Sequence, residues 1–352
     1  MQITIPGGVI RWIAFLSLFM LGCGPDFDPP SELHSLRVLA VQKDVPYAQP
    51  GETVNLQMLW QDASPLAGRE VQVAWSPPCF NPPGDLYYAC FSDPNTFGGM
   101  VRQDADNPER TSFDVPLNII SERPPADNSN NAPYGVSYVF FALCAGELTL
   151  LPAASDSAFP IGCKDASGTL LGADDFVAGY TSVYSFESFS NHNPVIKGFE
   201  FRGSPVPDSA VCLGEGCLPL DGSAPAVDFD CDDPEQSARC VPTCSDDGDS
   251  SCTAYSFRPT IDKADPANQD QDDVSAQLLG RDVGEQMWIN YYTDAGGFKS
   301  PVRLLNDATA GWNDNYGTDF YAPKTPGLSR IWAIAHDNRG GVSWSGITLK
   351  VQ

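Results

Sequence analysis

The chain has 352 residues, 42% of them hydrophobic and 11% aromatic. That is enough apolar material for about two ordinary domains, and it excludes wholesale disorder. Against 45 Asp and Glu stand only 20 Lys and Arg, giving a net charge of −25. This balance excludes the clustered cations that phosphate contacts need, so no nucleic-acid partner is expected, and it argues against docking of the folded surface on anionic headgroups.

At the N-terminus Arg11 precedes an apolar stretch, Trp12 to Leu21. The run is too short to cross a bilayer as a helix but suits the apolar region of a secretory signal. Leu21-Gly22-Cys23 resembles the lipobox of bacterial lipoproteins, with Met20 departing from the leucine usual three residues before the cysteine. The resemblance implies that residues 1–22 are a signal peptide, that Cys23 carries acyl chains such as palmitate, and that the membrane is reached through this lipid. Gly24 then implies transfer to the outer membrane, facing the periplasm or the cell surface. Residues 23–33, with Pro25, Pro29 and Pro30, read as an extended tether. Setting Cys23 aside leaves ten cysteines, an even number suited to disulfides in an oxidising compartment. Cys79 is expected to pair with Cys90, Cys144 with Cys163, and Cys212 with Cys217. Cys231, Cys240, Cys244 and Cys252 leave three pairings open.

From residue 34 the pattern is that of strands. Leu36 to Val41 makes a first strand; Val54, Leu56, Met58 and Trp60 alternate with polar neighbours; Val71, Val73 and Trp75 follow a turn at Ala67-Gly68. Pro116 marks Ser112 to Leu117 as an edge strand. Val136 to Cys144 is apolar at nearly every position, and Phe176 to Phe186 closes a domain spanning 34–190. Pro50-Gly51-Glu52-Thr53-Val54-Asn55-Leu56 followed by Val73-Ala74-Trp75 resembles the opening strands of bacterial immunoglobulin-like domains, which implies a β-sandwich with Trp75 between its sheets.

Asn191-His192-Asn193-Pro194 reads as a boundary, and a second domain occupies 194–352. An insertion at about 204–273 holds six cysteines. Within it, from Asp221 to Asp273, fourteen acidic residues stand against Arg239, Arg258 and Lys263. With few large apolar residues it is expected to depend on disulfides rather than on a core of its own. Met287, Ile289 and Tyr291 alternate with Trp288, Asn290 and Tyr292. Ile331 to Ala335 and Val342 to Val351 flank a turn at Asp337 to Gly341. This ending resembles the last hairpin of immunoglobulin-like and PKD-like domains. The fold class expected is all-β: two immunoglobulin-like β-sandwiches, the second carrying a disulfide-rich acidic insertion.

Little in the chain points to catalysis. There is no Gly-x-Ser-x-Gly elbow and no His-Glu-x-x-His, and the three histidines, His34, His192 and His336, lie far apart in sequence. His336 beside Asp337 reads as surface decoration of a hairpin. Cys240 and Cys244 have a spacing zinc can use, but an oxidising compartment favours disulfides. Asp228, Asp230 and Asp232, with Asp246, Asp247 and Asp249, place hard oxygen ligands on loops at spacings calcium can use, so calcium is the one cofactor motivated. Trp312, Tyr316 and Tyr321, with Phe320, fall in a loop rich in Asn, Asp and Gly, where rings can stack on sugars or cover the sheet end. The reading is a lipid-anchored envelope protein with a non-enzymatic binding, adhesion or structural role and an envelope protein or glycan as partner. A carbohydrate-binding module and a lipid-anchored hydrolase are the alternatives.

Overall fold

A computed structural model describes residues 29–66, 68–92, 94–98, 101–102, 109–123, 132–151, 159–208, 211–213, 230–245 and 252–352. Cys23, Cys217, Asp228, Asp246, Asp247 and Asp249 lie outside these described residues, as does the whole signal-like stretch. Residues 31–352 form one unit.

The first part of this unit contributes β1 (Leu36–Lys43), β2 (Tyr47–Ala48), β3 (Thr53–Asp62), β4 (Gln72–Trp75), β5 (Cys79–Phe80), β6 (Val101–Arg102), β7 (Arg110–Asp114), β8 (Gly135–Cys144), β9 (Glu147–Leu150), β10 (Ile161–Lys164) and β11 (Phe176–Ser185). The second contributes β12 (Ile196–Phe201), β13 (Ser204–Pro205), β14 (Val211–Leu213), β15 (Cys240–Val241), β16 (Ala254–Ile261), β17 (Met287–Thr293), β18 (Gly297–Phe298), β19 (Val302–Asp307), β20 (Gly311–Trp312), β21 (Thr318–Tyr321), β22 (Gly327–Asp337) and β23 (Val342–Val351). The strands form two β-sandwiches, as the sequence predicts. In the first, the sheet β1-β3-β7 faces β2-β11-β8-β4-β6, with β5 also on β8. In the second, β13-β12-β16-β21-β18 faces β14-β23-β22-β17-β19-β20, with β15 also on β23.

Side-chain alternation assigns each strand to its layers. Every residue of β8 is buried. Val139, Phe141 and Leu143 enter the core between the first pair of sheets, where Trp75 also sits. Val136, Tyr138, Phe140 and Ala142 enter a separate cluster on the opposite face. That second cluster is why β8 is apolar throughout instead of alternating. The Cys79–Cys90 bridge therefore does more than tie off an exposed loop: Cys90, Phe91 and Phe97 cover the outer face of β8.

The same logic joins the two sandwiches. Ile331, Ala333 and Ala335 of β22 and Ile347, Leu349 and Val351 of β23 fill the second core. On the opposite face of the hairpin, Trp332, Ile334, Val342 and Trp344 pack against Leu33, Leu39, Ala40 and Leu59. A register shift in β1 between Val38 and Ala40 re-aims the chain there, sending Leu36 into the first core and Leu39 and Ala40 into this seam. Four sheets thus stack with three apolar layers between them. Each large side chain fully buried in such a layer stabilises the unit by roughly 1.5–3 kcal/mol.

The structure corrects three expectations. The tether does not run free to residue 33: Leu33 N–H donates to the Thr293 carbonyl at 2.8 Å, and the Leu33 side chain is buried in the seam. The stretch 204–273 is not a separate insertion throughout. β16 is a central strand whose Tyr255, Phe257 and Ile261 enter the second core, while β14 and β15 both pair with β23. Pro259 is tolerated inside β16 because its partner Phe199 turns its carbonyl the other way, to Val206 N–H at 2.8 Å. The aromatic stretch from Gly311, read from sequence as a loop, contains two strands, β20 and β21, with Phe320 fully buried.

The four cysteines left open pair as Cys231–Cys240 and Cys244–Cys252, and Cys144–Cys163 forms as expected. Cys212 is disulfide-bonded; Cys217, its expected partner, is outside the described residues.

Candidate functional site

Residues named from sequence are mostly occupied by structure. Tyr316 and Tyr321 are only 6% and 5% exposed, and Trp312 packs partly buried on the second core. The two tyrosine rings are therefore committed to the sheet end and are not sugar platforms. Tyr291 Oη, a core phenol, donates to the Tyr316 carbonyl at 2.8 Å and fixes that turn. Of the calcium candidates, Asp230 and Asp232 are described: Asp230 Oδ1 accepts from Asp232 N–H at 2.9 Å, a local turn contact. Among the described residues no group of three or more His, Cys, Asp or Glu converges as a metal site.

His336 is not surface decoration. Its ring stacks on Trp288, centroids 5.3 Å apart and 12° from parallel, and burial lowers its pKa to about 4. Asp337 is buried and accepts from Arg339 N–H at 2.7 Å, Gly341 N–H at 2.8 Å and Asn191 Nδ2 at 3.1 Å. His192 is exposed and lies 2.9 Å from Asp270 Oδ2 through Nδ1. His34 stands 3.8 Å from Glu32.

Asp337 belongs to a polar network along one border of the seam. Arg339, 6% exposed, donates from Nη2 to Glu285 Oε1 at 3.0 Å and lies 3.3 Å from Asp270. Burial, then the nearby Asp337 carboxylate, pushes Glu285 up to about 9 despite the guanidinium beside it. Asn193 bridges the two sandwiches, donating to the Lys43 carbonyl at 2.6 Å and accepting from Val342 N–H at 2.9 Å. Gln42 Nε2 reaches the Val342 carbonyl at 2.7 Å. The stretch Asn191 to Pro194, read from sequence as a boundary, is thus stitched down at both ends of the contact. Beside it a cavity of about 540 Å³ is bordered by Tyr47, Tyr184, Phe186, Leu278 and Arg339.

A second concave surface, of about 600 Å³, runs from the outer face of the β13-β12-β16-β21-β18 sheet to Arg303 on β19 of the facing sheet. Its side chains are the outward half of an alternation whose inward half is core. Glu200 lies between Phe199 and Phe201, Ser256 and Arg258 flank Phe257, and Asp319 precedes Phe320. Arg258 Nη2 donates to Glu200 Oε2 at 2.6 Å, and Lys299 Nζ to Asp319 Oδ2 at 3.2 Å. Arg303, on β19, donates through Nη2 to the Asn315 carbonyl, while its Nε is buried without a partner. Among the described residues no carboxylate pairs with Arg303. No motif marks these three cations. The signal the sequence offers is their scarcity, since only 20 Lys and Arg occur in the chain.

No family model and no curated protein matches the chain. Among solved structures it is similar to fibronectin(III)-like modules of Clostridium thermocellum CbhA, at 10% identity over 89% of this chain and 93% of that one, with a TM-score of 0.19. It is also similar to the chicken CNTN1 FN1-FN3 domains, at 10% identity over 92% and 65% of the two chains, with a TM-score of 0.17. A mutant Salmonella alpha-2-macroglobulin is similar at 12% identity over 92% of this chain and 17% of that one, with a TM-score of 0.19. The assignment of β-sandwiches rests on the strand pairing itself.

Proposed function

We propose that this chain is a lipid-anchored protein of the bacterial outer membrane, held by acyl groups on Cys23, with a non-enzymatic binding or structural role. The observation that carries the role is the seam. Trp332, Trp344, Leu39 and Leu59 bury the contact between two sandwiches, and Asn193 and Gln42 add hydrogen bonds across it. A body joined in this way holds a surface at a fixed geometry, which suits presentation or spacing better than a hinged catalytic cleft. The histidines support the same reading, because His336, the one beside a buried carboxylate, is stacked and kept neutral. The anchor is supported by Leu21-Gly22-Cys23 in the sequence and by cysteines paired as in an oxidising compartment. The test is growth with labelled palmitate followed by fractionation of the full chain and its Cys23→Ser variant. Label and envelope association are expected in the first and absent in the second. Equal association of both removes the anchor, and turnover of a chromogenic ester, peptide or glycoside by purified full chain removes the non-enzymatic role.

A further inference from the structure

The geometry points to the outer groove of the β13-β12-β16-β21-β18 sheet as a binding site for an acidic polysaccharide, with Arg303 taking the sugar carboxylate. The inference deepens the binding role proposed above and names its ligand class.

Charge comes first. In a chain of net charge −25, three cations, Arg258, Lys299 and Arg303, converge on one groove with two carboxylates, Glu200 and Asp319. The two carboxylates already have partners, Arg258 and Lys299. That leaves the Arg303 guanidinium: its Nε is buried away from the groove, Nη2 donates to the Asn315 carbonyl, and Nη1 has no hydrogen-bond partner among the described residues, so the Nη groups are the donors a ligand can reach. A guanidinium with free donors is the group best shaped to grip a carboxylate through two parallel hydrogen bonds.

The rest of the groove selects what carries that carboxylate. Ser256 and Asn315 supply neutral hydrogen-bonding groups, and Glu200 and Asp319, each about 30% exposed, present acceptor oxygens. Carboxylate acceptors bind hydroxyl donors and repel a polymer whose every unit is acidic. The set therefore fits a chain of many hydroxyls with sparse negative charge. A peptide fits less well: the one aromatic border of the groove, Phe257, is buried in the core and offers no apolar pocket for a side chain.

The experiment uses the full chain extracted in neutral detergent, in affinity electrophoresis through gels containing hyaluronate, dextran or poly-L-glutamate, at physiological salt so that the overall negative charge is screened. Hyaluronate, with one carboxylate for every two sugars, is expected to retard the protein, and the two other polymers are not. Arg303→Ala is expected to weaken the hyaluronate interaction about tenfold, the loss of one charge-assisted contact. Arg303→Lys should recover part of it, and Lys164→Ala, outside the groove, should change nothing. An unchanged melting temperature of Arg303→Ala shows that its fold is kept; if it does not fold, Lys299→Ala serves instead. No retardation by hyaluronate, equal retardation by dextran, or equal retardation by poly-L-glutamate each overturns the inference. None of these outcomes touches the anchor or the seam, which the palmitate and turnover experiments test separately.

Discussion

Lys43 is a buried amine in an environment that opposes its charge. It closes β1 inside the contact between the sandwiches, donating from Nζ to the Ser182 carbonyl at 3.2 Å. Gly340, whose φ is +94°, turns the backbone beside that nitrogen in a conformation that favours glycine. Burial lowers the Lys43 pKa to about 8, and the Asp337 carboxylate only partly offsets this. In the unfolded chain the amine titrates near 10.5. Between these values the unfolded state holds the extra proton, so stability rises with pH across the window, and below about pH 8 the folded state carries the full penalty. The penalty is about 3 kcal/mol, on the scale of 1.36 kcal/mol for each pH unit of displacement. Lys43→Met is therefore expected to flatten the rise in unfolding free energy between pH 8 and 10.5, measured by urea titration against the parent chain. A variant that keeps the same slope shows that the amine stays hydrated.

At the scale of elements, each strand's sequence tells how many of its faces are covered. The unbroken apolar run of β8 and the alternation of β17 are both legible, and so are the sandwich class and two of the disulfides. The central place of β16 is not, although Tyr255, Phe257 and Ile261 alternate with Ser256 and Arg258 in the required period. It is hidden because the acidic, cysteine-rich flanks dominate the composition of the stretch around it, and because Pro259 argues locally against a central strand. The groove is illegible for a related reason: alternation shows that Glu200, Ser256, Arg258 and Asp319 face outward but not that strands far apart in sequence place them side by side. The seam is illegible too, because Trp332 and Trp344 carry no mark of whether an outward face meets solvent or another sheet. Where an element depends on a covalent staple, the effect is local. Cys144–Cys163, closing 19 residues, ties the end of β8 to the small β9-β10 sheet. Replacing both cysteines with Ala is expected to cost about 3 kcal/mol through the freed loop. Amide exchange should accelerate over residues 147–164 and much less over 135–144, which β11 holds on one side and β4 and β5 hold on the other. Equal acceleration in both ranges would mean that the bridge supports the whole sheet.

At the scale of the molecule, the seam determines whether the four sheets unfold as one unit or two. Its apolar cluster draws on Leu33, β1 and β3 from one side and on β22 and β23 from the other, and the chain between β11 and β12 is held by Asn191 and Asn193. Sandwiches joined by contacts of this kind should melt together, since exposing the seam from either side removes burial from both. Leu59 is the sharpest probe, because it is fully buried, faces the seam, and lies outside both sandwich cores. Leu59→Asp places a carboxylate inside this apolar cluster, at a cost large enough to open the contact while Met58 and Trp60 keep β3 in the first core. Calorimetry of the parent chain is expected to give one endotherm and that of Leu59→Asp two, with chymotrypsin cutting after Phe189 in the connecting stretch far faster in the variant. Leu66→Asp, at a position 66% exposed, should leave both readouts unchanged. A single endotherm and unaltered cleavage in Leu59→Asp would place the coupling in the polar border of Arg339, Glu285 and Asp337 instead, and Glu285→Ala would then be the variant that splits the transition.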